Sequence, residues 1–132
     1  MNALLDTSVV VRYFMQDQPH LGAASTRVVE SEDHLLVNEV AIAEVAHVLM
    51  STYRVPRELV VDQLVAFLRR DNVGTLNIPK DLVLGALAKC RPSGRVSIPD
   101  ALIWAAARGE RVPVYTFDRR FPTEGVTVLS PQ

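Results

Sequence analysis

Four of the 15 acidic residues stand among apolar neighbours, where a carboxylate is costly to bury unless a partner compensates its charge. They are Asp6, Glu44, Asp100 and Asp118. A divalent cation would compensate several converging carboxylates at once. Ligands that are all oxygen suit Mg²⁺ or Mn²⁺ and do not suit Zn²⁺. These four side chains are therefore the candidate metal ligands of the chain.

Each acid also has a purely structural interpretation. Asp6 could cap the helix that follows it, and Asp100 could answer a Ser97 cap in a capping box. Asp118, which precedes two arginines, could form an Asx turn or a surface ion pair. Glu44 could pair with an arginine that is distant in sequence. The shared position of the acids beside apolar segments favours a common site.

Short apolar runs alternate with helical patterns along the chain, which favours an α/β fold with a parallel sheet covered on both faces. Strands are predicted at residues 3–6, 35–37, 73–77, 112–117 and 126–129. Helices are predicted at residues 9–14, 19–31, 38–53, 56–70, 79–89 and 97–109, with Ser8, Asn38 and Ser97 as N-caps. In such sheets the functional crevice lies outside the carboxyl ends of the strands. Asp6 and Asp118 each end a predicted strand and fall at that edge.

Length and composition narrow the class of protein. The 132 residues predict one domain over residues 1–132, and 14 basic against 15 acidic residues give a net charge of −1. That charge excludes a basic nucleic-acid coat but leaves room for an enzyme that acts on nucleic acid. The single cysteine, Cys90, excludes an internal disulfide and a multi-cysteine zinc site, and no helix pattern reaches the length of a membrane span. No signal peptide is expected at the first residues, so the expected location is the cytoplasm.

Four short segments, in order, carry a family resemblance over essentially the whole chain. They are Leu-Asp-Thr-Ser at 5–8, Asn38 with Glu44 six residues later, Ile-Pro-Asp-Ala-Leu-Ile at 98–103, and Thr-Phe-Asp-Arg-Arg-Phe at 116–121. With these segments the sequence resembles the PIN-domain ribonucleases, and among them the VapC-type toxins of bacterial toxin–antitoxin pairs. The resemblance implies a three-layer α/β/α sandwich with a short, mainly parallel sheet. It also implies a metal-dependent endoribonuclease that cleaves a structured RNA such as tRNA or rRNA.

The resemblance also assigns roles to individual residues. It implies that Asp6, Glu44, Asp100 and Asp118 form the acidic cluster, and that Thr7, Ser8 and Thr116 orient water or phosphate beside it. Our hypothesis is that Asp6 and Asp100 are the principal ligands of Mg²⁺ or Mn²⁺, while the other two acids complete the set or hold waters. Position 117, which is often polar in relatives, is Phe117 here. Four close carboxylates without a metal should repel, so the pKa of at least one is expected to be raised.

The residues that flank the motifs and the family resemblance also predict the substrate contacts and the partners. Arg12, Arg119 and Arg120 flank the motif segments and are the first candidates to bind RNA, with Arg91 and Arg95 as second choices. The resemblance implies a VapB-like antitoxin whose C-terminal segment covers the active-site side, and a homodimer; no membrane partner is expected. The alternative function is a catalytically inactive PIN-like domain that binds or acts as a scaffold.

Overall fold

Six helices and five short strands build the molecule, which a computed structural model describes from residue 1 to residue 132. In chain order they are β1 Asn2–Leu4, α1 Thr7–Met15, α2 Pro19–Val29, β2 His34–Val37, α3 Glu39–Ser51, α4 Arg57–Leu68, β3 Val73–Thr75, α5 Lys80–Cys90, α6 Ile98–Glu110, β4 Val114–Tyr115 and β5 Val128–Leu129. The expected α/β/α architecture with short parallel strands is confirmed. None of the six helices combines the length and apolar composition needed to cross a bilayer.

The strands form two separate parallel sheets. β1, β2 and β3 lie side by side in that order, with Leu4 opposite Leu36 and Leu36 opposite Gly74. β4 and β5 pair only with each other, with Val114 opposite Val128. The last two strands are each two residues long, shorter than the sequence predicts, so the C-terminal sheet contributes few main-chain hydrogen bonds.

The hydrophobic core is one cluster of 28 buried side chains, and helix α3 contributes five of them. This helix packs against both α1 and α6, while α5 packs against α6. Trp104 on α6 is the largest fully buried side chain. Because each fully buried large apolar side chain contributes about 1.5–3 kcal/mol, this packing is what holds the helices that carry the candidate site.

Local capping explains where the helices begin. The Asn38 side chain accepts a hydrogen bond from the Ala41 N–H at 3.0 Å, and α3 starts directly after it, as predicted. Ser97 caps α6 in the same way. The prediction that Ser8 caps the first helix is wrong, because α1 starts at Thr7 and its cap is Asp6. The Asp6 carboxylate reaches the free N–H of Ser8, which lies inside the first turn.

Candidate active site

The carboxyl ends of β1 and β2 place two polar residues at one edge of the three-stranded sheet. The Leu5 N–H donates to the Leu36 carbonyl at 2.8 Å, so the parallel ladder continues to the residue before Asp6. Asn38 follows the last residue of β2. Since neighbouring parallel strands end at the same edge, Asp6 and the start of α3 lie at the edge of the sheet where α/β proteins place their ligands.

Asp6 is exposed and firmly oriented by its neighbours. Its Oδ2 accepts hydrogen bonds from the Ser8 hydroxyl at 2.6 Å and from the Ser8 N–H at 3.2 Å. The Ser8 hydroxyl is the main cause that lowers the pKa of Asp6 below its ordinary value of 3.8. Asp6 is therefore not the carboxylate whose pKa is raised by crowding, as was expected for at least one of the four. The carboxylate stays ionised at neutral pH, and Oδ1 is left available to a cation or a water.

Glu44 lies on the solvent face of α3, not among apolar side chains as its sequence neighbours suggested. The buried face of the helix is formed by Ala41, Ile42, Val45, Ala46 and Leu49. Val40, one helical turn before Glu44, is 66% exposed on the same face of α3, although its apolar side chain predicted burial. The expectation of a dry, costly carboxylate at this position is wrong, and Glu44 needs no buried partner.

Asp100 is half-buried in the first turn of α6. Its backbone N–H donates to the Ser97 Oγ at 3.1 Å, which is one half of the capping box considered from the sequence. The reciprocal hydrogen bond from the Ser97 N–H to the Asp100 carboxylate does not form. The carboxylate of Asp100 is therefore free for another ligand, on a helix that packs against α3.

Asp118 follows β4 and is held by a tight turn. Its Oδ1 accepts a hydrogen bond from the Arg120 N–H at 2.8 Å, and its own N–H donates to the Thr116 Oγ1 at 3.0 Å. The Asx-turn interpretation of Asp118 is confirmed. Thr116 positions the backbone of Asp118, and the side chain of Asp118 is exposed.

The four acids do not converge into a closed metal site. No group of three or more His, Cys, Asp or Glu side chains lies close enough to hold an ion. The donor set nevertheless fits a hard cation, because Mg²⁺ is usually bound through one or two carboxylates together with waters and substrate phosphates. Asp6, Glu44 and Asp118 are exposed and Asp100 is half-buried, so each can be reached from solvent.

A match to a family model over most of the chain identifies its family. The family model described as "PIN domain" matches residues 3–123, a range that contains all four acids. The chain belongs to the PIN-domain family. Membership points to nuclease activity, and the family includes VapC toxins as well as other nucleases. No individual curated protein matches the chain.

Two of the arginines proposed to bind RNA are engaged elsewhere in this PIN domain. Arg12 donates from Nη1 to the Tyr53 hydroxyl at 3.2 Å and to Asp17 Oδ1 at 3.3 Å, and it is only 28% exposed. Arg91 binds Asp62 through two hydrogen bonds of 2.8 and 3.0 Å, which also lower the pKa of Asp62. These guanidinium groups connect different elements of the fold, and their binding of RNA stays a prediction.

The remaining three arginines are available. Arg95, Arg119 and Arg120 are exposed and their guanidinium groups take part in no ion pair. Arg119 and Arg120 directly follow Asp118, so their positive charge lies beside a candidate carboxylate. The site therefore has free positive charge on the C-terminal side, although the net charge of the chain is slightly negative.

Cys90 takes no part in the site. Its side chain is buried, and removal from water raises the pKa of the thiol to about 11. A thiol that stays protonated at neutral pH is a poor nucleophile and a poor metal ligand. The interpretation of Cys90 as an inert thiol is confirmed.

Sequence reasoning missed one feature of the site, an exposed aromatic pair. Tyr115 and Phe117 are 70% and 81% exposed beside Asp118. The signal was present in the sequence, since two aromatic residues two positions apart share one side of a strand. The apolar run from Val112 to Phe117 instead suggested a fully buried strand.

Proposed function

We propose that this PIN domain is a metal-dependent endoribonuclease of the VapC type that cleaves a structured RNA such as tRNA or rRNA. The observation that carries the proposal is the family match over residues 3–123, within which the four acids occur in the expected order. The free carboxylates at the carboxyl edge of the sheet and at the start of α6 support it. The exposed arginines after β4 supply positive charge for the RNA backbone.

In this proposal Asp6 and Asp100 are the principal ligands of Mg²⁺ or Mn²⁺, and Glu44 and Asp118 complete the set or hold waters. When bound, such a cation lowers the pKa of water and relieves negative charge on the phosphate. The other polar residues orient these groups. Ser8 fixes one oxygen of Asp6, and Thr116 fixes the turn that carries Asp118. Thr7, half-buried at the first position of α1, is proposed to orient water or phosphate at the same edge.

The decisive variant is Asp6→Asn, because asparagine caps a helix as well as aspartate does. The substitution keeps α1 in place and removes only the charge. We expect Mg²⁺-dependent cleavage of total cellular RNA to fall by at least about 100-fold, since metal assistance supplies several kcal/mol. Glu32→Gln, an exposed loop carboxylate that makes no hydrogen bond, is the matched control and should cleave like the wild type. Equal cleavage by Asp6→Asn and the control would refute the assignment.

A second candidate function is a PIN domain that binds RNA without cutting it. The absence of a group of three converging carboxylates favours this candidate. Calorimetric titration of Mg²⁺ or Mn²⁺ into the wild type and into Asp100→Asn separates the two functions. Metal binding that Asp100→Asn abolishes, together with discrete RNA fragments, supports the enzyme. RNA binding with neither metal binding nor fragments supports the binding domain.

The proposed antitoxin has a groove to occupy. A surface cavity of about 390 Å³ lies between α1 and α2, where Val9, Leu21, Ala24 and Val28 form the apolar lining. The cavity is also lined by Ser8, the residue that holds Asp6, so an amphipathic segment bound there would cover the active-site side. We expect Leu21→Glu to keep its cleavage activity but to escape neutralisation by the antitoxin. The proposed homodimer is tested by sedimentation of the purified chain.

A further inference from the structure

The segment from Val114 to Phe117 alternates between buried and exposed side chains. Val114 packs against the hydrophobic core and Thr116 is half-buried, whereas Tyr115 and Phe117 are 70% and 81% exposed. Both aromatic rings are therefore open to solvent, directly before Asp118.

These two rings have no partner within the molecule. The aromatic pairs of the chain join Tyr13, Phe14 and Phe67, and the only ring approached by cations is that of Trp104. Apart from Met1, Phe117 and Tyr115 are the most exposed large hydrophobic side chains of the chain. Their π faces are thus available to a ligand.

Phe117 also forms part of a surface cavity beside the candidate carboxylate. The cavity measures about 350 Å³ and is lined by Thr116, Phe117, Asp118 and Arg119, with the buried Phe121 among its apolar residues. Arg119 and Arg120 are exposed and unpaired. An aromatic face, a carboxylate and two free cations therefore lie within one short segment.

We propose that Phe117, with Tyr115 next to it, is a surface on which an unpaired nucleobase of the RNA stacks beside Asp118. The inference rests on the proposed function and names the residues that hold the base. Bases in an A-form duplex are stacked on each other and offer only their edges, while bases in loops can stack on aromatic side chains. Arg119 and Arg120 supply the charge that the adjoining phosphates require.

Charge complementarity favours RNA over a protein as the occupant of this surface. Residues 115–120 carry two arginines and one aspartate, so the aromatic pair is surrounded by net positive charge. A nucleotide presents a flat apolar face and an anion a few ångströms apart, which matches this arrangement. Alternation of aromatic rings and cations is the common pattern of surfaces that bind single-stranded nucleic acid.

The test is the affinity of a fluorescein-labelled single-stranded RNA oligonucleotide, measured in EDTA so that no cleavage occurs. Phe117→Ala should weaken binding roughly 5- to 150-fold, because alanine substitution of one stacking residue has an effect of that size. Phe117→Leu, which keeps an apolar side chain without a π face, should weaken it nearly as much, and Phe117→Trp should bind like the wild type. Val112→Ala, a 50% exposed apolar residue before β4, is the matched control and should leave the affinity unchanged.

A second readout does not depend on affinity. In Phe117→Trp the new indole is exposed, whereas the native Trp104 is only 2% exposed. The emission of the new indole should therefore be quenched when the oligonucleotide stacks on it. A blunt-ended RNA duplex should neither quench this emission nor distinguish Phe117→Ala from the wild type. Equal affinities of wild type and Phe117→Ala for the single strand would overturn the proposal. So would a Phe117→Ala variant that alters self-association or antitoxin binding but leaves RNA binding unchanged.

The outcomes also separate this inference from the proposed function. If the wild type cleaves RNA in Mg²⁺ while Phe117→Ala shows unchanged affinity in EDTA, the nuclease activity is supported and the stacking surface is refuted. If single-stranded RNA binds through Phe117 but no RNA is cleaved, the stacking surface stands and the nuclease falls.

Discussion

The two sheets of this PIN domain are held in place by different forces. The three-stranded sheet is held by main-chain pairing on both sides of β2 and by the burial of the Leu35 and Val37 side chains. The β4–β5 pair contributes few ladder bonds, such as Val114 N–H to the Thr127 carbonyl at 2.9 Å and Thr116 N–H to the Leu129 carbonyl at 3.0 Å. It depends on side chains that reach across from α5 and α6.

Trp104 is the principal anchor of the C-terminal sheet. Its indole N–H donates to the Glu124 carbonyl at 2.8 Å, and the Lys89 ammonium lies 4.6 Å from the centre of its ring. Lys89 also binds the Glu124 carboxylate at 2.6 Å, and Phe121 is buried nearby in the chain. Asp6 is thus positioned by the main-chain ladder between β1 and β2, whereas Asp118 is positioned by a few side-chain contacts. Substitutions can therefore disturb one candidate ligand without the other.

The largest effect is expected from Trp104→Ala. The side chain is 2% exposed, so its removal leaves a large cavity and should lower the free energy of unfolding by about 3–5 kcal/mol. Urea unfolding followed by circular dichroism measures the loss. Trp104→Phe, which keeps most of the volume but leaves the Glu124 carbonyl without its donor, should cost only about 1–3 kcal/mol. Equal losses in the two variants would show that the hydrogen bond, not the packing, is the anchor.

A smaller and local effect is expected from Lys89→Met, which keeps an unbranched side chain but removes the charge. The amide hydrogens of Val114 and Thr116 should exchange roughly 2- to 10-fold faster, since the ion pair is exposed and therefore weak, and the contact with the Trp104 ring contributes only about 0.5–1 kcal/mol. Exchange at Leu5 and Leu35, in the other sheet, should not change. Lys80→Met on the same helix is the control, because Lys80 donates to the Arg70 carbonyl and not to the C-terminal segment. Faster exchange in both sheets would mean that the two regions are not independent.

The smallest effect is expected from acid. The Lys89 hydrogen bond lowers the pKa of Glu124 below its ordinary value of 4.5, so this carboxylate stabilises the folded protein above about that pH. The stabilisation is lost as the pH falls through the lowered pKa. Trp104 emission, recorded between pH 6 and pH 3, should therefore shift at higher pH than main-chain circular dichroism. In Glu124→Gln the early shift should disappear, and identical acid transitions in both proteins would contradict the role of Glu124.

The helices could be predicted because their signals are local. The Asn38 and Ser97 caps lie within three residues of the N–H groups that they bind, so the sequence contains the whole interaction. The error at the first helix arose between two possible cap residues, Asp6 and Ser8, which are two positions apart, and only the backbone geometry distinguishes them. Strand existence was predicted equally well. Four of the five strands are shorter than predicted and β2 is one residue longer, because pairing, not composition, decides where a strand ends.

The arrangement of the candidate site could be predicted only in part. The order of strands indicated that Asp6 would lie at the end of one and Asp118 after another. Burial was wrongly predicted for Glu44, because an apolar neighbour, Val40, is itself exposed on the same face of the helix. The contact between Trp104 and Glu124 joins residues 20 positions apart, and no local pattern encodes it. The role of Phe117 stays a prediction that the binding measurements must test.

The parallel pairing of β4 with β5 has a consequence for the order in which the molecule folds. Parallel strands cannot form a hairpin, so the chain between Tyr115 and Val128 must cross over before any ladder bond can form. The connection between β4 and β5 contains no helix that would bring the two strands together early. Closing this loop costs conformational entropy, and only the few hydrogen bonds between two short strands offset that cost. We expect the pair to assemble after α5 and α6 have packed around Trp104. The turn that holds Asp118 would then be the last part of the molecule to become ordered and the first to be lost on unfolding.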